Sequence, residues 1–96
     1  MLETNEKHVV YTIRRVSKLL NVHYHGLTHT VMLIHATAFP GESIRRSALL
    51  ASVYVALSLA SYITYDEFSK VTSLSIVTLR YNVRRILKRT RIRVYV

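Results

Sequence analysis

Seven of the chain's 14 Lys and Arg residues fall in one short stretch: Arg80, Arg84, Arg85, Lys88, Arg89, Arg91 and Arg93. No Asp or Glu follows Glu67, so these seven and Lys70 give residues 68–96 a charge of +8, out of +9 for the whole chain. The chemistry open to such a stretch is recognition of an anion, either nucleic acid or an acidic lipid surface. Catalytic chemistry has little to work with. There are five acids in all and no Gly-rich phosphate loop. Asp66 and Glu67 suit a helix start better than proton transfer, and no serine and histidine are spaced as a nucleophile and its base. No enzymatic activity and no cofactor are expected. His23, His25 and His29 form the one metal-like cluster, but no thiolate or carboxylate joins them, so no metal site is expected. His8 and His35 stand alone, as structural or exposed side chains.

The elements that must carry these cations can be read from spacing. Ninety-six residues, half of them apolar, suffice for one domain with one core. Two Gly and one Pro leave few turns and favour helices. The absence of Cys excludes disulfides and thiolate zinc sites and fits a reducing interior. The polar, acidic start from Met1 to Lys7 is unlike a signal peptide. A first helix is expected from about Asn5 to Leu20, with Val9, Ile13, Val16 and Leu20 inward and Asn21 as its stop. A second runs from about Gly26 to Ala38, with Leu27, Val31, Ile34 and Ala38 on one face, and ends at Phe39-Pro40-Gly41. A third, from Ser43 or Ile44 to about Tyr62, contains the 17 uncharged residues from Ser47 to Ile63. That length sits at the lower limit of a membrane span, but four serines and two tyrosines favour a central helix apolar all round because others surround it.

The last two helices form a unit. Thr64-Tyr65-Asp66-Glu67 has the pattern of a capping box, opening a short fourth helix with Phe68 and Val71 inward. Thr72-Ser73-Leu74 makes a turn, and Ser75 caps a fifth helix from Ile76 to about Lys88. Leu79, Val83, Ile86 and Leu87 form its inner stripe; Val77, Arg80, Tyr81, Arg84, Arg85 and Lys88 face out. Residues 91–96 alternate with period two, as a frayed tail or a short strand that could pair two copies.

A short helix, a tight turn and a second helix with a basic face make a helix-turn-helix, whose second helix can enter the major groove of DNA. In that pose Val77 could meet a thymine methyl and Arg80 could bond guanine through two N–H groups. Tyr81 is a further contact or a packed surface ring. Arg84, Arg85, Lys88 and Arg89 suit phosphates, which give affinity rather than sequence. Ser75 and Thr78 at the helix start could add contacts to a phosphate. Arg45 and Arg46 either hold phosphate or merely flank their turn. About five phosphate contacts would give a salt slope of about −4.5.

From Thr64 onward the chain resembles the end of a cyclin-like repeat of transcription factor IIB and its archaeal counterpart, transcription factor B. The resemblance is carried by Thr64, Glu67, Phe68, Leu74, Ser75, Val77, Thr78, Leu79 and Arg80, without a gap. Upstream, Ala51-Ser52-Val53-Tyr54-Val55-Ala56 is similar to the family's alanine-rich third helix, and the earlier helices match in length and apolar spacing. The resemblance implies an all-α, five-helix cyclin-like bundle ending in a helix-turn-helix over about 64–89. It also implies promoter-element reading beside a TATA box, by Val77 and Arg80, in contact with TATA-binding protein. The chain departs from the family at Gly41-Glu42-Ser43-Ile44, where a proline is missing, at Ser73, where the family has a turn glycine, and at Tyr81-Asn82-Val83. It holds one repeat and no zinc ribbon.

The expected function is therefore non-catalytic DNA binding in transcription, in the cytoplasm and associated with the nucleoid, with double-stranded promoter-like DNA as partner. The rivals are a protein–protein module of cyclin-like fold, including a homodimer through residues 91–96, and a small basic membrane-associated protein built on Ser47 to Ile63.

Overall fold

Ten consecutive residues, Ala48 to Leu57, are buried, and they define the middle of the molecule. A computed structural model describes residues 2–22 and 26–93, with side chains from Glu6 onward. It is an all-α bundle of five helices: α1 (Leu2–Leu20), α2 (Leu27–Ala38), α3 (Arg46–Ser58), α4 (Tyr65–Thr72) and α5 (Ile76–Thr90). α3 is the central helix, packed against α5, α2 and α1, while α4 bridges α1 and α5. Its small residues Ala48, Ala51, Ser52 and Ala56 let neighbours approach closely, and the Ser52 hydroxyl is satisfied within the helix by the Ala48 carbonyl at 2.9 Å.

The inward stripes follow the spacing. Val9, Ile13 and Val16 of α1, Val31, Ile34 and Ala38 of α2, and Leu79, Val83 and Ile86 of α5 are all buried, with Leu20, Leu27 and Leu87 half-buried at the edges. In α4 the inward pair is Phe68 and Thr72; Val71 is only half-buried. Asn82 is also buried, its amide donating to the Thr78 carbonyl at 3.0 Å.

α3 is shorter than its uncharged run. It starts at Arg46 because Arg45 is extended at the N-cap, and it stops at Ser58, four residues before Tyr62. The physical reason lies downstream. The Tyr54 hydroxyl donates to the Ile63 carbonyl at 2.7 Å, and Thr64 must be extended to cap α4, so the chain has to turn between. Thirteen residues rise only about 20 Å, and no helix among the described residues is long and apolar enough to cross a membrane.

Helix ends are closed locally. Asn21 adopts φ 57°, with Val22 N–H donating to the Ser17 carbonyl and Asn21 N–H to Lys18, a Schellman motif. Arg91 adopts φ 60° and donates to the Leu87 carbonyl, closing α5. That left-handed residue breaks the extended alternation expected from Arg91: residues 91–93 form no strand, and Ile92 packs against the core instead. Residues 94–96 of that segment lie outside the described residues, as do His23 and His25; His29 is exposed.

Candidate nucleic-acid interface

The two-helix unit at the C-terminal end is held by paired caps. The Thr64 hydroxyl accepts from Glu67 N–H at 3.1 Å, and the Glu67 carboxylate accepts from Thr64 N–H at 3.1 Å. The Thr64 N–H first, and then the Thr64 hydroxyl donating at 3.0 Å, hold the Glu67 carboxyl below the usual carboxylate range. α4 ends after Thr72, and Ser73 takes φ 60°, a left-handed position that favours glycine. Leu74 turns back into the core, with its carbonyl accepting from the Ser69 hydroxyl at 2.5 Å. Ser75 then caps α5, accepting from Thr78 N–H at 3.1 Å and donating to the Thr78 hydroxyl at 2.9 Å. The two hydroxyls expected to touch phosphate are thus tied to each other, and the amides of Ile76 and Val77 remain as the orphan donors of the helix start.

The buried line Leu79, Asn82, Val83, Ile86 orients α5. Opposite it runs Val77, Tyr81, Arg84, Lys88, at i, i+4, i+7 and i+11. Val77 is 79% and Tyr81 62% exposed, the two most N-terminal members of that line. Arg80, Arg84, Lys88 and Arg89 are exposed beside or beyond them. An outward face therefore starts apolar and becomes cationic along the helix.

Arg80 does not stand free. Its guanidinium lies over the Tyr65 ring, 5.3 Å from the centroid. Tyr65 stacks on Tyr54 at 5.1 Å, and Tyr54 meets Phe68 edge-on at 5.1 Å. An aromatic ladder from the core thus ends under Arg80. Burial pushes the Tyr65 hydroxyl up, with Arg80 and Arg84 pulling the other way. The Tyr54 hydroxyl is pushed up to about 12, chiefly by burial.

The structure separates Arg85 from its neighbours. Its side chain is 27% exposed and donates to Glu42 at 3.2 Å. It lies over Phe39 at 4.8 Å and beside Tyr81 at 5.9 Å. Arg45 donates to the other Glu42 oxygen at 2.7 Å while remaining 64% exposed. Arg46 donates to the Thr72 carbonyl, closing the end of α4. Glu42 is therefore the counter-ion of two cations, and its carboxyl is held low by the Arg45 hydrogen bond first and then by Arg85. Spacing along α5 alone missed this partner. Glu42 is the only acid between Glu6 and Asp66, which is the signal that could have found it. Tyr65, as the platform under Arg80, was missed as well.

No protein-family model matches the chain, and neither the curated proteins nor the solved structures contain a match to it.

Proposed function

We propose that the chain is a non-catalytic DNA-binding protein whose α5 enters the major groove. The observation that carries this reading is the outward face of α5. Two exposed apolar side chains, Val77 and Tyr81, lie at the end that would meet base edges. Exposed cations follow, with no acid on the helix to oppose them. Val77 and Tyr81 are suited to thymine methyls and Arg80 to guanine; Arg84, Lys88 and Arg89 are suited to phosphates. Tyr65 supports the Arg80 role by restricting its guanidinium before DNA arrives, which lowers the entropy cost of a two-bond contact. Arg85 is a contact only if it leaves Glu42.

The likeness of residues 64–80 to the promoter-reading repeat of transcription factor B makes a TATA-flanking element the first duplex to test and TATA-binding protein the first protein partner. A nucleoid-associated place in the cell goes with this reading.

The test is a salt titration of binding to a TATA-containing promoter duplex and a scrambled duplex, with wild type and Arg80→Ala. Four phosphate contacts, from Arg80, Arg84, Lys88 and Arg89, predict a slope of about −3.6 on non-specific DNA. Arg80→Ala should cost about 1–3 kcal/mol on the preferred duplex and flatten the preference. Equal losses on both duplexes would remove the base-reading role, and no binding at low salt would remove the reading itself.

A further inference from the structure

α1 crosses the place where α3 begins and α4 ends, and the three helices enclose a groove of about 310 Å³. Its floor is apolar, built from half-buried Val71 and from Val16, Leu49 and Leu50, which are almost fully covered. Tyr11 and Leu19 stand exposed at its rim. Along α1 the lining runs from His8 to Leu19, three helical turns and about 16 Å. The charges are of one sign: Arg15 and Arg46 line the groove, and among the described residues no carboxylate does. Arg46 holds the Thr72 carbonyl, and a guanidinium retains further N–H donors after one bond.

We propose that this groove docks an acidic amphipathic helix of a partner protein. Apolar side chains at i, i+3 or i+4, and i+7 would seat on the leucine and valine floor, and flanking Glu or Asp would face Arg15 and Arg46. The inference stands apart from the DNA-binding reading, since Val77, Tyr81 and the cations of α5 take no part in it. Charge complementarity selects the occupant. A second copy brings +9 against these arginines, and its longest acidic run, Asp66-Glu67, is followed by Lys70. A duplex would set phosphates over Leu49, Leu50 and Val71, which offer them nothing. An acidic helix uses both the apolar floor and the cationic walls, and covers Tyr11 and Leu19.

The test uses the isotope-labelled full chain and its amide NMR spectrum. The probes are a Leu/Glu amphipathic peptide of about four turns, the same peptide with Lys for Glu, the Glu peptide with its Leu positions scrambled, and a DNA duplex. The proposal expects the Leu/Glu peptide alone to shift amides of residues 8–19, 46–50 and 71–73. It further expects Arg15→Glu to weaken that peptide by about three- to tenfold, an exposed attraction turned to repulsion, and Leu19→Asn to weaken it while leaving duplex binding unchanged. Both side chains are exposed, so both variants should fold. Absence of groove shifts at about 1 mM peptide overturns the proposal. So do equal shifts with the scrambled peptide, which would mean charge attraction only, or the same groove shifts with the duplex, which would make the groove a nucleic-acid surface.

Discussion

If α5 binds DNA as proposed, Glu42→Gln should make that binding stronger and more salt-sensitive, although Glu42 is far from α5 in sequence. The carboxylate holds Arg45 at 2.7 Å and Arg85 at 3.2 Å. Removing its charge raises the formal net charge by one unit and releases both guanidinium groups. Arg45 is already largely exposed and needs only to rotate. Arg85 must also leave Phe39, a cation–π contact worth about 0.5–1 kcal/mol at a partly exposed site. A charge-assisted bond to phosphate, about 1.5–3 kcal/mol, outweighs that. Two added contacts on top of four take the slope from about −3.6 to about −5.4. Between 50 and 200 mM salt, the loss of affinity should then grow from roughly 150-fold to roughly 1,800-fold. Fluorescence anisotropy on a non-specific duplex across that salt range reads the slope directly. An unchanged slope, with Glu42→Gln still folded by circular dichroism, would show that neither arginine reaches phosphate and that the cationic face is limited to Arg80, Arg84, Lys88 and Arg89. Acid should mimic the substitution only below the usual carboxylate range, because both arginines favour the ionised form.

Stability should respond at three other positions, Ser73, Tyr54 and His35. Ser73→Gly should raise stability by about 0.5–1 kcal/mol, since Ser73 sits at φ 60° and glycine relieves the left-handed cost; thermal unfolding should show Tm rising by a few degrees. Tyr54→Phe should cost about 1–3 kcal/mol by leaving the Ile63 carbonyl buried without its donor; denaturant titration measures this. In wild type the raised Tyr54 value means the folded state holds a proton that the unfolded state loses, so stability is intact below pH about 10 and falls as pH rises towards about 12. His35 behaves in the opposite sense. Burial lowers its value and Glu42 offsets only part of that, so its contribution is whole above pH about 6.5 and is lost as pH falls through the lowered value. A His35→Leu variant should lack that acid-side loss in a pH series of urea midpoints, and an identical fall in both proteins would assign it to other groups.

Much of the bundle was legible because a helix in a one-core protein has to turn one stripe inward. Val9, Ile13 and Val16, Val31, Ile34 and Ala38, and Leu79, Val83 and Ile86 recur at the spacing that only a helix puts on one face. Caps are local too: Thr64 with Glu67, and Ser75 with the Thr78 amide, involve residues three apart and need no tertiary information. The length of α3 was not legible. Nothing in its uncharged run says where it stops; the Tyr54 hydroxyl reaching Ile63 decides that, after the chain has folded back. The strand pattern of residues 91–93 yielded to a left-handed Arg91 and the packing of Ile92 on the core.

The face of α5 divides in the same way. Sequence by itself determined that a cationic surface would exist opposite Leu79, Val83 and Ile86, because side-chain direction on a helix follows from position alone. Which cations remain available on that surface was a tertiary decision. Arg85 has the same charge as its neighbours and lies only about 40° around the helix from exposed Arg89. Only the loop that brings Phe39 beside it, together with Glu42, 43 residues away along the chain, turns it from a free cation into an internal tie. Likewise Arg80 gains its aromatic platform only because α4 lays Tyr65 beneath it. Periodicity reports which way a side chain points, whereas pairing depends on what another segment places within a few ångströms of its tip.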